Sequence, residues 1–141
     1  MDTNGHITTL KDLAGDWVLS RTIDDRYGST TMAMEGTAAF TRDGEDWFYR
    51  ESGTLTPQNG SAMQAERTYI FRETPGGALV LFRDGSPFHL IRWSDPVATH
   101  FCEPDTYRVA YDIDQWPQWT SCWTVTGPRK DYVSTTVYTR P

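Results

Sequence analysis

Three charged side chains, Arg21, Glu51 and Arg67, stand in runs whose alternate residues are large and apolar. These apolar neighbours, two or four positions away, are Trp17, Leu19, Ile23, Trp47, Tyr49, Tyr69 and Phe71. Residues two apart share one face of a β-strand, so this spacing places each charge on an apolar face. Guanidinium groups bind carboxylates and phosphates through paired hydrogen bonds. The pattern predicts a site for a small anionic or carbonyl-bearing organic molecule inside an aromatic wall.

The same alternation selects the aromatic residues of this predicted binding site, and His89 is included because histidine can transfer a proton. Besides the three charges, the predicted ligand-binding residues are Tyr49, Tyr69, His89, Tyr107, Tyr111, Trp119, Trp123 and Tyr132. We expect Arg21 and Arg67 to hold the polar head of the ligand, with Glu51 orienting both guanidinium groups. Tyr107 and Tyr132 lie close to predicted turns. Side chains at the mouth of the cavity would control the entry of a ligand.

Two other arrangements of the charges fit the same spacing. Arg21, Glu51 and Arg67 could form an internal salt-bridge network without a ligand, because an unpaired buried charge costs several kcal/mol. Alternatively, all three could face solvent, because a one-residue change of register turns every side chain of a strand to the other face.

An enzyme that uses the cavity is the second function class. Its general base would be Glu51 or His89, and tyrosine hydroxyls together with an arginine would hold a developing oxyanion. Isomerisation, cyclisation and hydrolysis are the reactions that fit such groups. The sequence contains no Gly-x-Ser-x-Gly, no Walker loop and no dinucleotide glycine signature.

No metal or cofactor is predicted. His100 and Cys102 form a His-x-Cys pair without the second pair of ligands that a structural zinc site needs. Haem held by one of the two mid-chain histidines, His89 or His100, is the alternative. Cys102 and Cys122 are expected to be free thiols in a reducing compartment, with a cross-barrel disulfide as the alternative.

Composition limits the partners. The 141-residue chain carries a formal net charge of −6, and only two of its 13 basic residues are lysines. Nucleic-acid surfaces need a basic stripe and anionic membranes attract basic segments, so neither partner is predicted. The first 13 residues lack the basic and apolar regions of a signal peptide, and a cytoplasmic location is expected.

Short β-rich runs separated by turn residues account for nearly the whole chain. The predicted strands are 16–25, 31–42, 46–56, 62–72, 78–83, 87–93, 97–103, 106–114, 118–126 and 131–139. Turn pairs such as Asp43-Gly44, Asn59-Gly60 and Asp84-Gly85 separate them. Connections this short force neighbouring strands to pair antiparallel.

The predicted fold is therefore all-β, an antiparallel up-and-down barrel of eight to ten strands that forms one domain over residues 1–141. Closure of the barrel removes exposed strand edges. Only residues 8–15 look helical, as a short turn that Thr8 or Thr9 caps and that ends at Gly15.

A short helical turn leading through Gly15-Asp16-Trp17 into the first strand resembles the start of the lipocalins and the wider calycin group. The resemblance implies that Trp17 plugs the closed end of the barrel. It also implies that an arginine from a late strand, Arg140 or Arg129, packs over the indole ring. The Thr-Asp-Tyr motif of the secreted lipocalins is missing.

The chain also resembles an uncharacterised family of lipocalin-like bacterial and fungal domains. The motifs that carry this resemblance are LAGDW (13–17), R-x-I-x-D (21–25), YRESGTL (49–55), ERTYIF (66–71), DGSPFH (84–89), CEPDTYRVAYD (102–112) and GPRKDY (127–132). They span nearly the full chain. The resemblance implies the barrel fold and no particular activity.

A protein-interaction module is the third function class. Six tryptophans could fill a barrel of this size, and a filled barrel would have no ligand cavity. An exposed aromatic patch around Trp116-Pro117-Gln118-Trp119 would then be the expected contact surface. The sequence leaves the oligomeric state open.

Overall fold

Ten antiparallel strands make up most of the computed structural model, which describes residues 7–141. They are β1 (Gly15–Asp25), β2 (Thr30–Asp43), β3 (Asp46–Pro57), β4 (Met63–Thr74), β5 (Gly77–Phe82), β6 (Pro87–Arg92), β7 (Val97–Cys102), β8 (Asp105–Asp112), β9 (Trp119–Gly127) and β10 (Lys130–Thr139). Each predicted strand is confirmed to within two residues at either end. Residues 1–6 of the predicted domain lie outside the described residues.

The strands form one up-and-down sheet that curls into a nearly closed barrel. The order is β6-β5-β4-β3-β2-β1-β10-β9-β8-β7, so β1 and β10 pair and β6 and β7 end the sheet. The expected full closure is therefore wrong at one seam, between β6 and β7. The turn joining these two strands bonds to other neighbours instead, through Trp93 N to Gly76 O and Tyr111 N to Pro96 O.

Two glycines let the long strands β2 and β3 coil tightly. Gly36 and Gly53 are direct partners in the ladder. A Cβ atom on Gly36 would collide with the carbonyl oxygen of Ser52, and one on Gly53 would lie 2.5 Å from the carbonyl oxygen of Glu35. Side-chain-free positions at a close backbone approach are a common device for bending a sheet.

A 3₁₀ turn (Leu10–Leu13) covers the closed end of the barrel, within the predicted helical segment. Trp17 follows it, fully buried, and its indole Nε1 donates to the Leu13 carbonyl oxygen at 2.9 Å. The Arg140 guanidinium lies 3.7 Å from the centroid of the Trp17 ring and donates to the Asp16 carbonyl oxygen. This contact confirms the plug, with Arg140 and not Arg129 as the covering residue.

Gly15 holds this closed end in place. Its φ of 98° lies in the region that favours glycine, and a Cβ there would meet Arg140 Nη1 at 3.4 Å. We expect Gly15→Ala to lower the free energy of unfolding by about 1–2 kcal/mol, measured by urea denaturation. Gly44→Ala is the control, because Gly44 also has a positive φ but nothing within 4 Å. Equal stability of Gly15→Ala and Gly44→Ala would show that the more positive φ of Gly15 and its contact with Arg140 add no cost.

Aromatic rings fill the half of the barrel next to this plug. The rings packed there are Trp17, Phe40, Tyr49, Phe71, Trp116, Trp119 and Tyr138. The predicted aromatic patch at 116–119 is wrong, because Trp119 is buried and Trp116 packs 5.7 Å from the Trp17 ring.

Among residues 7–141, no helix has the length and apolar character to cross a membrane.

Candidate functional site

The half of the barrel opposite Trp17 is hollow. Its main space, the outer chamber, has a volume of about 570 Å³ and opens at the end where β1 finishes and β10 begins. Of the predicted site residues, Arg21, Arg67, Tyr69, Tyr107, Trp123 and Tyr132 border it. An open, largely aromatic cavity with few polar groups is the usual form of a small-molecule site.

A second space, the inner chamber, lies deeper and has a volume of about 40 Å³. The predicted residues that border it are Arg21, Tyr49, Glu51, Arg67, Tyr69, His89, Tyr111, Trp119 and Trp123. Arg21, Arg67, Tyr69 and Trp123 border both chambers. The structure thus brings all eleven predicted site residues to the wall of one or the other chamber.

A buried ion pair lies where the two chambers meet, because Arg21 borders both chambers and Glu51 borders the inner one. Arg21 donates to both carboxylate oxygens of Glu51, from Nη1 at 2.6 Å and from Nη2 at 2.8 Å, and its Nε donates to Thr136 Oγ1 at 2.7 Å. Tyr49 donates to the Glu51 carboxylate, and the Tyr138 hydroxyl lies 2.8 Å from that of Tyr49. Bidentate, charge-assisted bonds of this kind are among the strongest in proteins.

Both members of this pair are held in their charged forms. Burial alone would raise the pKa of Glu51, but the hydrogen bonds and charge of Arg21 outweigh it and lower the pKa. Burial likewise works against the charge of Arg21, whose pKa Glu51 nevertheless raises above its ordinary value. Burial raises the pKa of Tyr49 well above its ordinary value, so its hydroxyl stays protonated and donates.

Arg67 is in a different state from Arg21. It is the ladder partner of Glu51 on β3, so it shares the inward face, yet its side chain is exposed at the chamber wall. Its guanidinium carbon lies 5.9 Å from the Tyr69 ring centroid. No carboxylate of residues 7–141 lies within ion-pairing distance of Arg67. The predicted three-residue network is therefore a two-residue pair plus one available cation.

A bulge in β6 brings His89 into the barrel. The ladder between β5 and β6 slips between Val80 and Leu81, so Phe88 and His89 are both buried although they are consecutive. His89 Nε2 lies 2.9 Å from the Tyr111 hydroxyl, and its Nδ1 has no partner among the described residues. Burial, together with the charge of His100, lowers the pKa of His89 to about 3.

Phe88 is the main wall residue that sequence reasoning missed. Its ring stacks on Trp123 at 5.0 Å and on Phe82 at 4.4 Å, and His100 meets its edge at 5.2 Å. Simple alternation cannot turn both Phe88 and His89 inward, so only a bulge could have identified it. Phe82, Phe88 and Trp123 thus form a stack of aromatic rings in the lining of the outer chamber.

Other charges stand at the rim of the outer chamber. Lys130 donates to the Tyr107 hydroxyl at 2.8 Å and pairs with Asp105 at 3.1 Å. Asp25 borders the opening and accepts a hydrogen bond from the backbone N–H of Gly28.

Cys102 also borders this chamber, and both Cys102 and Cys122 are free thiols. Within residues 7–141, no group of three or more potential ligands could hold a metal ion.

Comparison with known proteins places this barrel among solved folds. It is similar to the S-type phycobiliprotein lyase from Guillardia theta, with a TM-score of 0.59 and 8% sequence identity over 91% of this chain and 88% of that chain. At this identity the likeness concerns the fold alone. A search of the curated proteins found no match. The family model described as "Family of unknown function (DUF6314)" matches residues 13–140, and the chain therefore belongs to this family.

Proposed function

We propose that this protein binds a small anionic organic molecule in the outer chamber and that Arg67 takes the negative charge. The carrying observation is the contrast between the two inward arginines. Glu51 neutralises Arg21 through two hydrogen bonds, whereas Arg67 faces the same chamber without an acidic partner among residues 7–141. An arginine held at an aromatic wall is well suited to a carboxylate or phosphate.

The body of the ligand is proposed to be flat and apolar. The Phe88 and Trp123 rings lie within 10° of parallel, and Phe82 continues the stack. Offset stacking on such rings adds about 0.5–1.5 kcal/mol beyond the burial of area. A conjugated or aromatic carboxylic acid suits both features, the aromatic lining of the chamber and Arg67, which has no acidic partner among residues 7–141.

The sharpest test of Arg67 compares two arginines of neighbouring strands. Arg67 faces the chamber, while Arg50 on β3 pairs with Thr68 and projects from the opposite face of the sheet. We expect Arg67→Gln to weaken binding of 4-benzylbenzoate at least about tenfold, because a charge-assisted pair is lost. Arg50→Gln should leave the affinity unchanged. Isothermal titration calorimetry measures both; equal affinities of the two variants would overturn the assignment.

A trapped ligand can be sought without knowing its identity. We expect a non-denaturing mass spectrum of freshly purified protein to show a mass excess that disappears on denaturation. Arg67→Gln should reduce the fraction of protein that carries the excess, whereas Arg50→Gln should not. An excess that survives in full in Arg67→Gln would place the charged group of that ligand elsewhere.

The other two function classes receive less support. A general base must accept a proton readily, but the Glu51 carboxylate is bound by Arg21 and Tyr49, and the pKa of His89 is only about 3. An interaction module with a filled barrel does not agree with a chamber of about 570 Å³. The predicted carbonyl-bearing ligand remains compatible with the proposed binding role.

A further inference from the structure

Two buried ring nitrogens beside the inner chamber lack hydrogen-bond partners. They are Nδ1 of His89 and Nε1 of Trp119, whose residues are 6% and 5% exposed and both border this chamber. A buried polar atom without a partner costs about 1–3 kcal/mol, and native structures contain few of them. Unpartnered polar atoms in residues that line an empty space point to a group that is supplied from outside the chain.

The hydrogen-bond pattern assigns the proton of His89. The low pKa makes the ring neutral at neutral pH, so one nitrogen carries a hydrogen. If Tyr111 donates to Nε2, only the Nδ1–H group lacks a partner. If Nε2–H donates to Tyr111 instead, both the Tyr111 hydrogen and the Nδ1 lone pair are left unpaired, because Tyr111 has no other partner among the described residues. The first arrangement leaves fewer unpaired groups, so Nδ1 is a donor.

The inner chamber is therefore bordered by two residues that each carry an unpartnered N–H donor. Trp119 Nε1–H can only donate, and His89 Nδ1–H donates in the favoured tautomer. Two donors at one small space require an acceptor. A volume of about 40 Å³ holds a few waters or one small functional group.

We propose that the inner chamber receives a carbonyl oxygen of the bound molecule, which accepts hydrogen bonds from His89 and Trp119. This inference rests on the proposed function and narrows its ligand class. The ligand is then an aromatic or conjugated oxo-acid, with its carboxylate at Arg67 and its ketone or amide carbonyl inserted below the Phe88–Trp123 stack. Arg67 and Trp123 border both chambers, so one molecule can reach both groups.

The charge next to the inner chamber favours a neutral acceptor. The ionised Glu51 carboxylate also borders this space. Arg21 already neutralises this carboxylate, and the carboxylate of the proposed ligand takes Arg67. A second anionic group placed there would have no unpaired cation left among the described residues that border this space, which is costly. A hydroxyl would bring a hydrogen of its own that needs an acceptor. A carbonyl oxygen supplies two lone pairs and no charge.

The test compares two acids that differ in one group. 4-Benzoylbenzoate has a ketone where 4-benzylbenzoate has a methylene. We expect the wild-type protein to bind the ketone about tenfold more tightly, a typical effect of hydrogen bonds to buried donors. Trp119→Phe and His89→Phe should each reduce this preference at least about threefold. Infrared spectra of the ¹³C-labelled ketone should show a carbonyl band at higher frequency in Trp119→Phe than in the wild type.

Trp93→Phe is the matched control. The Trp93 indole nitrogen is also buried without a partner, but Trp93 borders neither chamber, so its loss should leave the ketone preference unchanged. Comparing the two ligands within each variant cancels any general loss of stability. Equal binding of both acids by the wild type, or a preference that persists in Trp119→Phe and His89→Phe, would overturn the inference and leave water as the occupant.

The two proposals can fail separately. If both acids bind equally and both depend on Arg67, the proposed function stands and only the carbonyl site is wrong. If neither acid binds, the proposed function fails and the carbonyl site fails with it. Circular dichroism and thermal unfolding of every variant show whether the barrel has folded.

Discussion

Glu51→Leu is expected to lower the free energy of unfolding by about 3–5 kcal/mol. The substitution leaves the Arg21 guanidinium buried, with Thr136 and the Met34 sulfur as its remaining hydrogen-bond partners among residues 7–141. An uncompensated buried charge is among the most destabilising features a core can have. Since small domains are stable by about 5–15 kcal/mol, this loss takes up much of the total. Urea denaturation at neutral pH measures it.

Two further variants separate the ion pair from general damage to the core. Arg21→Met combined with Glu51→Leu should recover most of the lost stability, because replacing a whole buried ion pair by apolar groups is often neutral. Asp46→Ala breaks the bidentate but exposed pair with Arg72, which joins β3 and β4, and should lower the free energy of unfolding far less than Glu51→Leu does. A double variant as unstable as Glu51→Leu alone would show that the charge of Arg21 is not the cause.

Acidification from pH 6.5 to 4.5 is expected to remove about 2–3 kcal/mol of stability through His89 alone. Its ordinary pKa of 6.5 applies to the unfolded chain, whereas burial holds the folded pKa at about 3. In this range the unfolded state binds the proton and the folded state does not, so stability falls as the pH falls. Further loss as the pH drops through the lowered pKa of Glu51 has the same sign.

The contribution of His89 is identified by the slope of the free energy of unfolding against pH, and not by the stability at a single pH. His89→Phe should flatten the decline between pH 6.5 and 4.5, even though the variant leaves the Tyr111 hydroxyl without its partner. His100→Gln should keep most of the decline, because burial is the larger cause of the lowered pKa of His89 and the charge of His100 is the smaller one. A wild-type protein whose free energy of unfolding is constant over this range would contradict a neutral, buried His89.

The local pattern of the sequence was enough to predict the strands and the inward faces. Alternation with a period of two put Arg21, Glu51 and Tyr69 on faces that border the chambers, because side-chain direction along a strand depends only on position. Turn residues between the runs fixed the strand limits to within two residues. The resemblance carried by Gly15 and Trp17 further predicted an arginine over the plug, which the contact with Arg140 confirms.

Only the tertiary structure decided which charges pair and which stays available. Arg21 reaches Glu51 across β2, and that distance depends on how tightly the sheet coils at Gly36 and Gly53, which no local pattern encodes. The bulge that turns both Phe88 and His89 inward arises from pairing with β5. The amount of open space in the barrel likewise depends on how distant side chains pack together. The sequence could therefore determine the faces of the strands, but the chemistry of the chamber emerged only from contacts between residues far apart in the chain.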